Sequence, residues 1–361
     1  MSNRAVLVVL VALVTLTSAC PRAPIDDGNS NPPDTGGTPA TNDPVADAAK
    51  LIEQQDFRGA EAVVDKALEQ HKDNHELWFA KGVVRQAQDD DTGAEQAWGK
   101  ALELSPEFVP AINGIGAIRL AKGDFDAAID RFTQALRLDP DFADAHYNLG
   151  LALLGAQQKD KAIQAFERAA KLAPDDATML VQLADMYVQA GKPELAIPLC
   201  SHAQEVAPDL ATAYLVHGHA LVKQGDFAGA SAQFTQALKR DPDDLDARLG
   251  LARAQQRAGK LPEAAKQLEL LTGVVPDSPV VWAEWGSVLA KQGDLAGALA
   301  KFDKALAIDP AFEAGWVRKV GALAQARRCK EAKDALGKLR DLEPDEASMD
   351  AASAALGKCK K

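Results

Sequence analysis

The sequence predicts an all-α chain, a solenoid of nine helix pairs closed by one further C-terminal helix. Three observations carry that expectation. Prolines stand at 106, 140, 174, 208, 242, 276, 310 and 344, each 34 residues after the last. With each proline set at position 32, repeats begin at 41, 75, 109, 143, 177, 211, 245, 279 and 313, and position 20 is then alanine in all nine, from Ala60 and Ala94 to Ala298 and Ala332. The composition agrees: 361 residues are 47 % hydrophobic but only 5 % aromatic, and Ala and Leu, both good helix formers, are prominent. A fixed period of this length marks stacked two-helix units rather than independent domains.

The elements follow in chain order. Met1 to Cys20 has the make-up of an export signal: Arg4 near the start, an apolar run from Ala5 to Leu16 broken only by Thr15, then Thr17-Ser18-Ala19 before Cys20. The run is shorter than the roughly 20 residues a membrane span needs. Residues 1–19 therefore read as a signal peptide. The ending at Cys20 resembles a bacterial lipobox, which implies cleavage before the cysteine and a diacylglycerol on its thiol. Thr17 stands where a lipobox usually has leucine, with Leu16 one place earlier. An ordinary secretory signal with an incidental Cys20 is the alternative. Pro21 to Asp43 is rich in Pro, Gly, Asn, Asp, Ser and Thr, with Ile25 its one large apolar residue. Such a stretch buries too little to offset its ordering entropy. Residues 20–43 are thus expected to be a lipidated cysteine and a flexible linker, spanning about 25–30 Å.

The repeats occupy 44–346. Positions 4, 7, 8 and 11 form an apolar stripe on a first helix, and positions 20, 24 and 27 do so on a second. Position 8 is small in eight repeats, often Gly, as in Gly82, Gly116, Gly150, Gly218 and Gly286. Position 24 is apolar, as in Trp98, Phe132, Phe166, Phe234 and Phe302. Gly123, Gly191, Gly225, Gly259 and Gly293 fall at position 15, where a left-handed residue ends the first helix. Proline at 32 breaks the chain before the next repeat. The first repeat has Lys72 there instead, and its first helix is expected from near Val45. Residues 347–361 are expected to supply a capping helix and tail.

This pattern resembles the tetratricopeptide repeat. The resemblance covers 41–346 and implies a right-handed superhelix whose first helices line a groove that binds peptides or proteins. Groove-facing positions in that family are 2, 5, 9, 12 and 13. They carry the candidates Phe79, Val83, Asn113, Tyr147, Leu151, Val181, Leu215, His219, Arg253 and Arg257. The middle of the groove is apolar and its next section basic, and an exposed apolar stripe asks for a partner. Half-burial in a tight superhelix, or dimerisation, would also account for it. The Lys and Asn pattern with which some members grip an acidic C-terminus is not present, since Asn113 and Asn148 alone do not make it.

Other chemistries are disfavoured. Lys and Arg number 40 against 52 Asp and Glu, a net charge of −12, which argues against nucleic acid. No phosphate loop, nucleophile elbow or dinucleotide fingerprint occurs, and too little chain lies outside the repeats for a catalytic domain. Neither cofactor nor metal is expected. His71 and His75 flank a turn and read as surface residues, and His217 as a core imidazole. Of the four cysteines, Cys200 at position 24 reads as a buried free thiol. Cys329 and Cys359 lie at neighbouring ends of two antiparallel helices, and a disulfide is expected in an oxidising compartment. The expected function is a non-catalytic scaffold, lipid-anchored in a bacterial envelope and facing the periplasm. Pro21 after the cysteine points to the outer rather than the inner membrane. Its partner would be an envelope protein such as a pilus, secretin or cell-wall assembly factor. An accessory subunit of a polysaccharide synthesis or export system is the alternative. The oligomeric state is left open.

Overall fold

A computed structural model describes residues 43–360. The expected signal, Cys20 and nearly all of the linker lie outside the described residues. The described residues form nineteen α-helices and a closing 3₁₀ turn, with no strand among them. None of these helices is long and apolar enough to cross a membrane. They divide into two compact bodies that meet in sequence at Pro174 and Asp175. The N-terminal body holds α1 (Pro44–Glu53), α2 (Phe57–Gln70), α3 (His75–Ala87), α4 (Asp91–Leu104), α5 (Val109–Ala121), α6 (Phe125–Leu138), α7 (Ala143–Gly155) and α8 (Lys159–Leu172). The C-terminal body holds α9 (Ala177–Gln189), α10 (Pro193–Val206), α11 (Ala211–Gln224), α12 (Phe227–Arg240), α13 (Leu245–Arg257), α14 (Leu261–Val274), α15 (Pro279–Gln292), α16 (Leu295–Ile308), α17 (Glu313–Gln325), α18 (Cys329–Arg340) and α19 (Glu346–Leu356). Odd-numbered helices are the first of each pair.

Each pair is clamped by the residues the period singles out. All nine alanines at position 20 have no exposed surface. The aromatic at position 24 lies against the small residue at position 8. A Cβ on Gly150 would come within 2.6 Å of the Phe166 ring, and one on Gly218 within 2.6 Å of Phe234. Only glycine lets the two helices close onto a full phenyl ring at native packing density.

The turn inside each pair is equally regular. Position 15 is left-handed in every repeat, and Gly123, Gly191, Gly225, Gly259 and Gly293 have φ between 72 and 90°. The other four repeats place Gln55, Asp89, Gln157 and Arg327 there, with φ of 59–61°. In five repeats an aspartate follows and caps the second helix. Asp56, Asp90, Asp226 and Asp294 each accept from a glycine N–H three residues on, at 2.8–2.9 Å, and Asp124 accepts from the Ala127 N–H at 3.4 Å.

In six repeats a second hydrogen bond ties the first helix to the turn before it. The side chain at position 4 reaches the carbonyl six residues earlier. Trp78 donates to Lys72 O, Tyr214 to Pro208 O, Arg248 to Pro242 O, Trp282 to Pro276 O and Trp316 to Pro310 O, at 2.5–3.1 Å. His146 Nε2 lies 2.9 Å from Pro140 O in the same arrangement.

The chain ends are built differently. Asp43 caps α1, which begins at Pro44. At the other end α19 packs on α17 and α18. It buries Ala352 and lays Met349 and Leu356 on the same apolar cluster. Cys359, in the closing turn Gly357–Lys360, is joined to Cys329 by a disulfide with Cα atoms 5.6 Å apart.

Candidate functional site

First helices of neighbouring repeats touch in all but one case within the bodies, as α1 does α3, α5 does α7, and α9, α11, α13, α15 and α17 do in succession; among the described residues no two second helices make comparable contact. First helices therefore occupy the inner side of each curved stack. Their free face is the candidate site.

In the N-terminal body that face is largely closed. Phe79 and Val83, expected in the groove, are core residues with 1 % exposure each. The cause is Trp98 at position 24. Its ring stacks on Phe79 at 6.0 Å and its Nε1 donates to Phe79 O at 3.1 Å, while Phe108 meets Phe79 edge-on at 5.5 Å. Val83 joins the seam of α3 and α5 with Ile115 and Ile118. Asn113 is also buried, and accepts at Oδ1 from Asn148 Nδ2 at 3.2 Å. Asn148 Oδ1 is enclosed without a donor. Tyr147 and Leu151 are half-buried, and the Tyr147 ring lies edge-on to Phe166 at 5.6 Å.

In the C-terminal body Val181 is buried at 8 % exposure, and so belongs to the packing of α9 rather than to an open groove. Leu215 and His219 are half-buried, and His219 lies edge-on to Phe234 at 5.2 Å. Arg253 and Arg257 are exposed. Arg253 donates from Nε and Nη2 to Glu284 Oε1 at 3.1 and 2.9 Å, and Arg318 Nη2 donates to the same oxygen at 3.2 Å. Glu284 and Arg318 both stand at position 6, which the groove pattern of the family omits. The signal was nonetheless present: a charged residue at position 6 of two successive repeats, beside an arginine at position 9 of the repeat before.

The remaining reactive groups are placed away from any polar cleft. Cys200 is fully buried, and burial, with a smaller contribution from the Asp185 charge, pushes its thiol up to about 12. Such a thiol is inert at neutral pH. His217 is buried beside Gln204, whose Nε2 is 3.2 Å from Nδ1, and burial lowers its pKa. His75 packs edge-on against Phe108 at 4.7 Å. No cluster of three or more metal-ligating side chains occurs among the described residues. The geometry offers a surface for recognition through apolar contact and fixed charge.

Comparison with known proteins agrees with the repeat architecture. Tetratricopeptide repeat models match residues 115–177, 175–243, 221–283 and 279–312. Residues 45–104 match the N-terminal TPR region of the fimbrial assembly protein FimV. Protein FlbA of Caulobacter vibrioides is 35 % identical over 71 residues, which is 20 % of this chain and 12 % of FlbA. The chain thus spans only a small part of that relative. A tetratricopeptide repeat protein from Parabacteroides merdae is similar in structure, with 17 % identity, a TM-score of 0.55, and coverage of 70 % of this chain and 99 % of that one. PilF of Pseudomonas aeruginosa is similar at 19 % identity and a TM-score of 0.51, over 57 % of this chain and 93 % of its own. At these identities the structural likeness speaks for the fold. Matched repeat models, the nine-fold period and paired helices throughout the described residues together make this chain a tetratricopeptide repeat protein.

Proposed function

We propose that the chain is a non-catalytic scaffold that holds a protein or peptide partner on its first-helix face. The observation that carries this reading is the set of half-buried side chains on that face, Tyr147, Leu151, Leu215 and His219. Tyr147 and Leu151 lie on the N-terminal body and Leu215 and His219 on the C-terminal one; in each, the ring (Tyr147 or His219) is held edge-on to the position 24 phenylalanine, Phe166 or Phe234, yet still presents surface. A surface so fixed binds without first being ordered. The likeness of residues 45–104 to FimV supports an envelope assembly factor, such as one for a pilus, as the class of partner. The sequence of residues 1–43 supports export, acylation of Cys20 and a flexible tether, with the array facing the periplasm and the outer membrane as its site. Lipoprotein cysteines carry more than one acyl chain, enough for firm anchoring.

The test is a crosslinked pull-down from membranes. Tyr147→Ala with Leu151→Asp is expected to lose the captured partner while helicity is kept. Loss of the Tyr147 edge contact itself costs only about 0.5–1.5 kcal/mol beyond area. Undiminished capture by the doubly substituted protein would contradict the site. Cys20→Ser is expected to shift the protein to the soluble fraction, and unchanged membrane fractionation would contradict the anchor.

A further inference from the structure

This inference rests on the protein-binding reading and names the chemistry of the partner. The inner face of α11, α13 and α15, with position 6 of α17, carries five permanent cations, Lys223, Arg253, Arg257, Lys291 and Arg318. It carries two carboxylates, Asp246 and Glu284. Glu284 is already engaged, and Asp246 stands beside an imidazole. Asp246 Oδ2 lies 3.8 Å from His219 Nε2, and Glu284 takes Arg253 and Arg318 on one oxygen.

The guanidinium pair is informative because of what it leaves over. Glu284 is 8 % exposed, so its charge had to be paired. One arginine would have sufficed. Two arginines, from repeats on either side of it, leave an excess positive charge held in a fixed position. Arg253 uses Nε and Nη2 on Glu284 and leaves Nη1 uncommitted. Arg318 Nη1 is enclosed with no acceptor. Guanidinium forks of this kind match carboxylates in geometry.

Lys223, Arg257 and Lys291 extend the site. All stand at position 13, in the last turns of α11, α13 and α15. All are exposed, and none has a carboxylate within ion-pair distance among the described residues. The helix dipole favours a cation at any last turn by a few tenths of a kcal/mol, about 0.3–1. It does not explain two guanidiniums sharing one carboxylate two helices away from a third arginine. In the N-terminal body position 13 is Glu53, Ala87, Ala121 and Gly155, and the last-turn cations Arg85 and Arg119 stand at position 11, each already paired with a carboxylate.

We propose that the inner face of repeats six to nine receives an acidic segment of a partner protein. One carboxylate of that segment meets the uncommitted Nη1 of Arg253, within the field of the Arg253–Arg318 pair, and others meet Lys223, Arg257 and Lys291. A short peptide responds to this local field, which is focused by the surrounding helices. A nucleic acid duplex is long compared with the patch and meets the net charge of −12 on the chain as a whole.

The test uses the full chain purified in detergent and a fluorescent peptide of alternating Glu and Ala, with its Gln–Ala counterpart as control. Anisotropy is expected to show binding of the Glu peptide only, weakening as salt rises. Charge reversal of the row, Lys223→Glu with Arg257→Glu and Lys291→Glu, should weaken binding at least about tenfold with circular dichroism unchanged. Arg253→Ala, which leaves Glu284 paired with Arg318, should weaken it by a smaller factor and serves if the triple variant does not fold. Equal binding of the Gln peptide, no binding of the Glu peptide, no response to Arg253→Ala, or displacement of the peptide by a short DNA duplex at equal charge would each overturn the proposal. If membrane capture is lost with Tyr147→Ala and Leu151→Asp while the Glu peptide does not bind, the scaffold reading stands and this inference alone falls.

Discussion

The two bodies use the same helix register to opposite ends. At positions 5 and 9 the second and third repeats of the N-terminal body turn inward, packing away Phe79, Val83 and Asn113, while its fourth keeps Tyr147 and Leu151 half-buried. The C-terminal body keeps Arg253 and Arg257 in solvent and ties Arg253 to a neighbour through Glu284. The frame that makes the pairs, positions 8, 15, 20, 24 and 27, is the same in both. The inner positions are therefore free to be filled or charged without disturbing the frame. One body offers a stiff surface at Tyr147 and Leu151, and the other a fixed positive field.

The largest test of that separation is a deletion within the shared frame. Phe166→Ala removes a fully buried ring and should destabilise the N-terminal body by about 3–5 kcal/mol. Its effect should not reach the C-terminal body, where hydrogen exchange at α15 to α18 is expected to be unchanged. Equal loss of protection in both would show that the two bodies unfold as one.

Next comes the disulfide, which only the C-terminal body has among the described residues. It closes a loop with a sequence separation of 30. In the chain-entropy picture this contributes roughly 3.5 kcal/mol, within a usual range of 2–4. Calorimetry with and without reductant should lower the transition that contains α19 and leave the other in place. Protease cleavage between α18 and α19 should rise in parallel. If the reduced protein melts as the oxidised one does, packing of Met349, Ala352 and Leu356 is enough to hold the cap.

A smaller difference concerns pH. His217 is buried in the C-terminal body, and burial lowers its pKa from the ordinary 6.5. As pH falls below 6.5 the unfolded chain takes up a proton that the folded one refuses, so stability declines until the folded-state pKa is reached. Above 6.5 this contribution is flat. Denaturant titrations between pH 7.5 and about 5 should show the decline, and His217→Gln should remove this component. A slope that survives the substitution would assign it to other groups.

The smallest effect tests a cost that falls mostly on the N-terminal body. Three of its four position 15 turns hold a side chain in the left-handed region, at Gln55, Asp89 and Gln157, against Arg327 alone in the other body. Gln157→Gly should stabilise by up to about 1 kcal/mol, since relief of the left-handed strain is offset by the entropy of glycine. A matched change at Gly191, Gly191→Gln, should do the reverse.

Much of this architecture was legible in the sequence because the period repeats it. Nine alanines at one register and eight prolines at another leave little freedom in where the pairs begin and end. The Cys329–Cys359 pairing followed from the same register, since it fixes which helix ends are neighbours. What was not legible is depth. Whether a position 5 or 9 residue is covered depends on the size of position 24 in its own repeat and on how closely the next first helix approaches. Trp98, backed by Gly82 and Gly114, turned Phe79 and Val83 into core. The Arg253–Glu284–Arg318 bridge depends on three helices at once, so its signal lay across repeats, at positions 9, 6 and 6, and not in the spacing within any one of them. The non-glycine turns were hidden for another reason: Gln and Arg carry no signature of a positive φ.

The position 4 hydrogen bonds also give the molecule its own spectroscopic markers. Three of the five tryptophans, Trp78, Trp282 and Trp316, each donate an indole N–H to a turn between repeats, while Trp98 donates inside a pair. Each indole proton should therefore resonate at a shift set by one carbonyl, and lose that shift when its turn opens. Repeat arrays unfold from weak points outward, with each repeat leaning only on its neighbours. Trp316 reports the last turn, Trp282 the one before it, and Trp78 the first turn at the opposite end. The order in which these signals vanish with denaturant would read out the direction of unfolding in the unlabelled, unsubstituted protein.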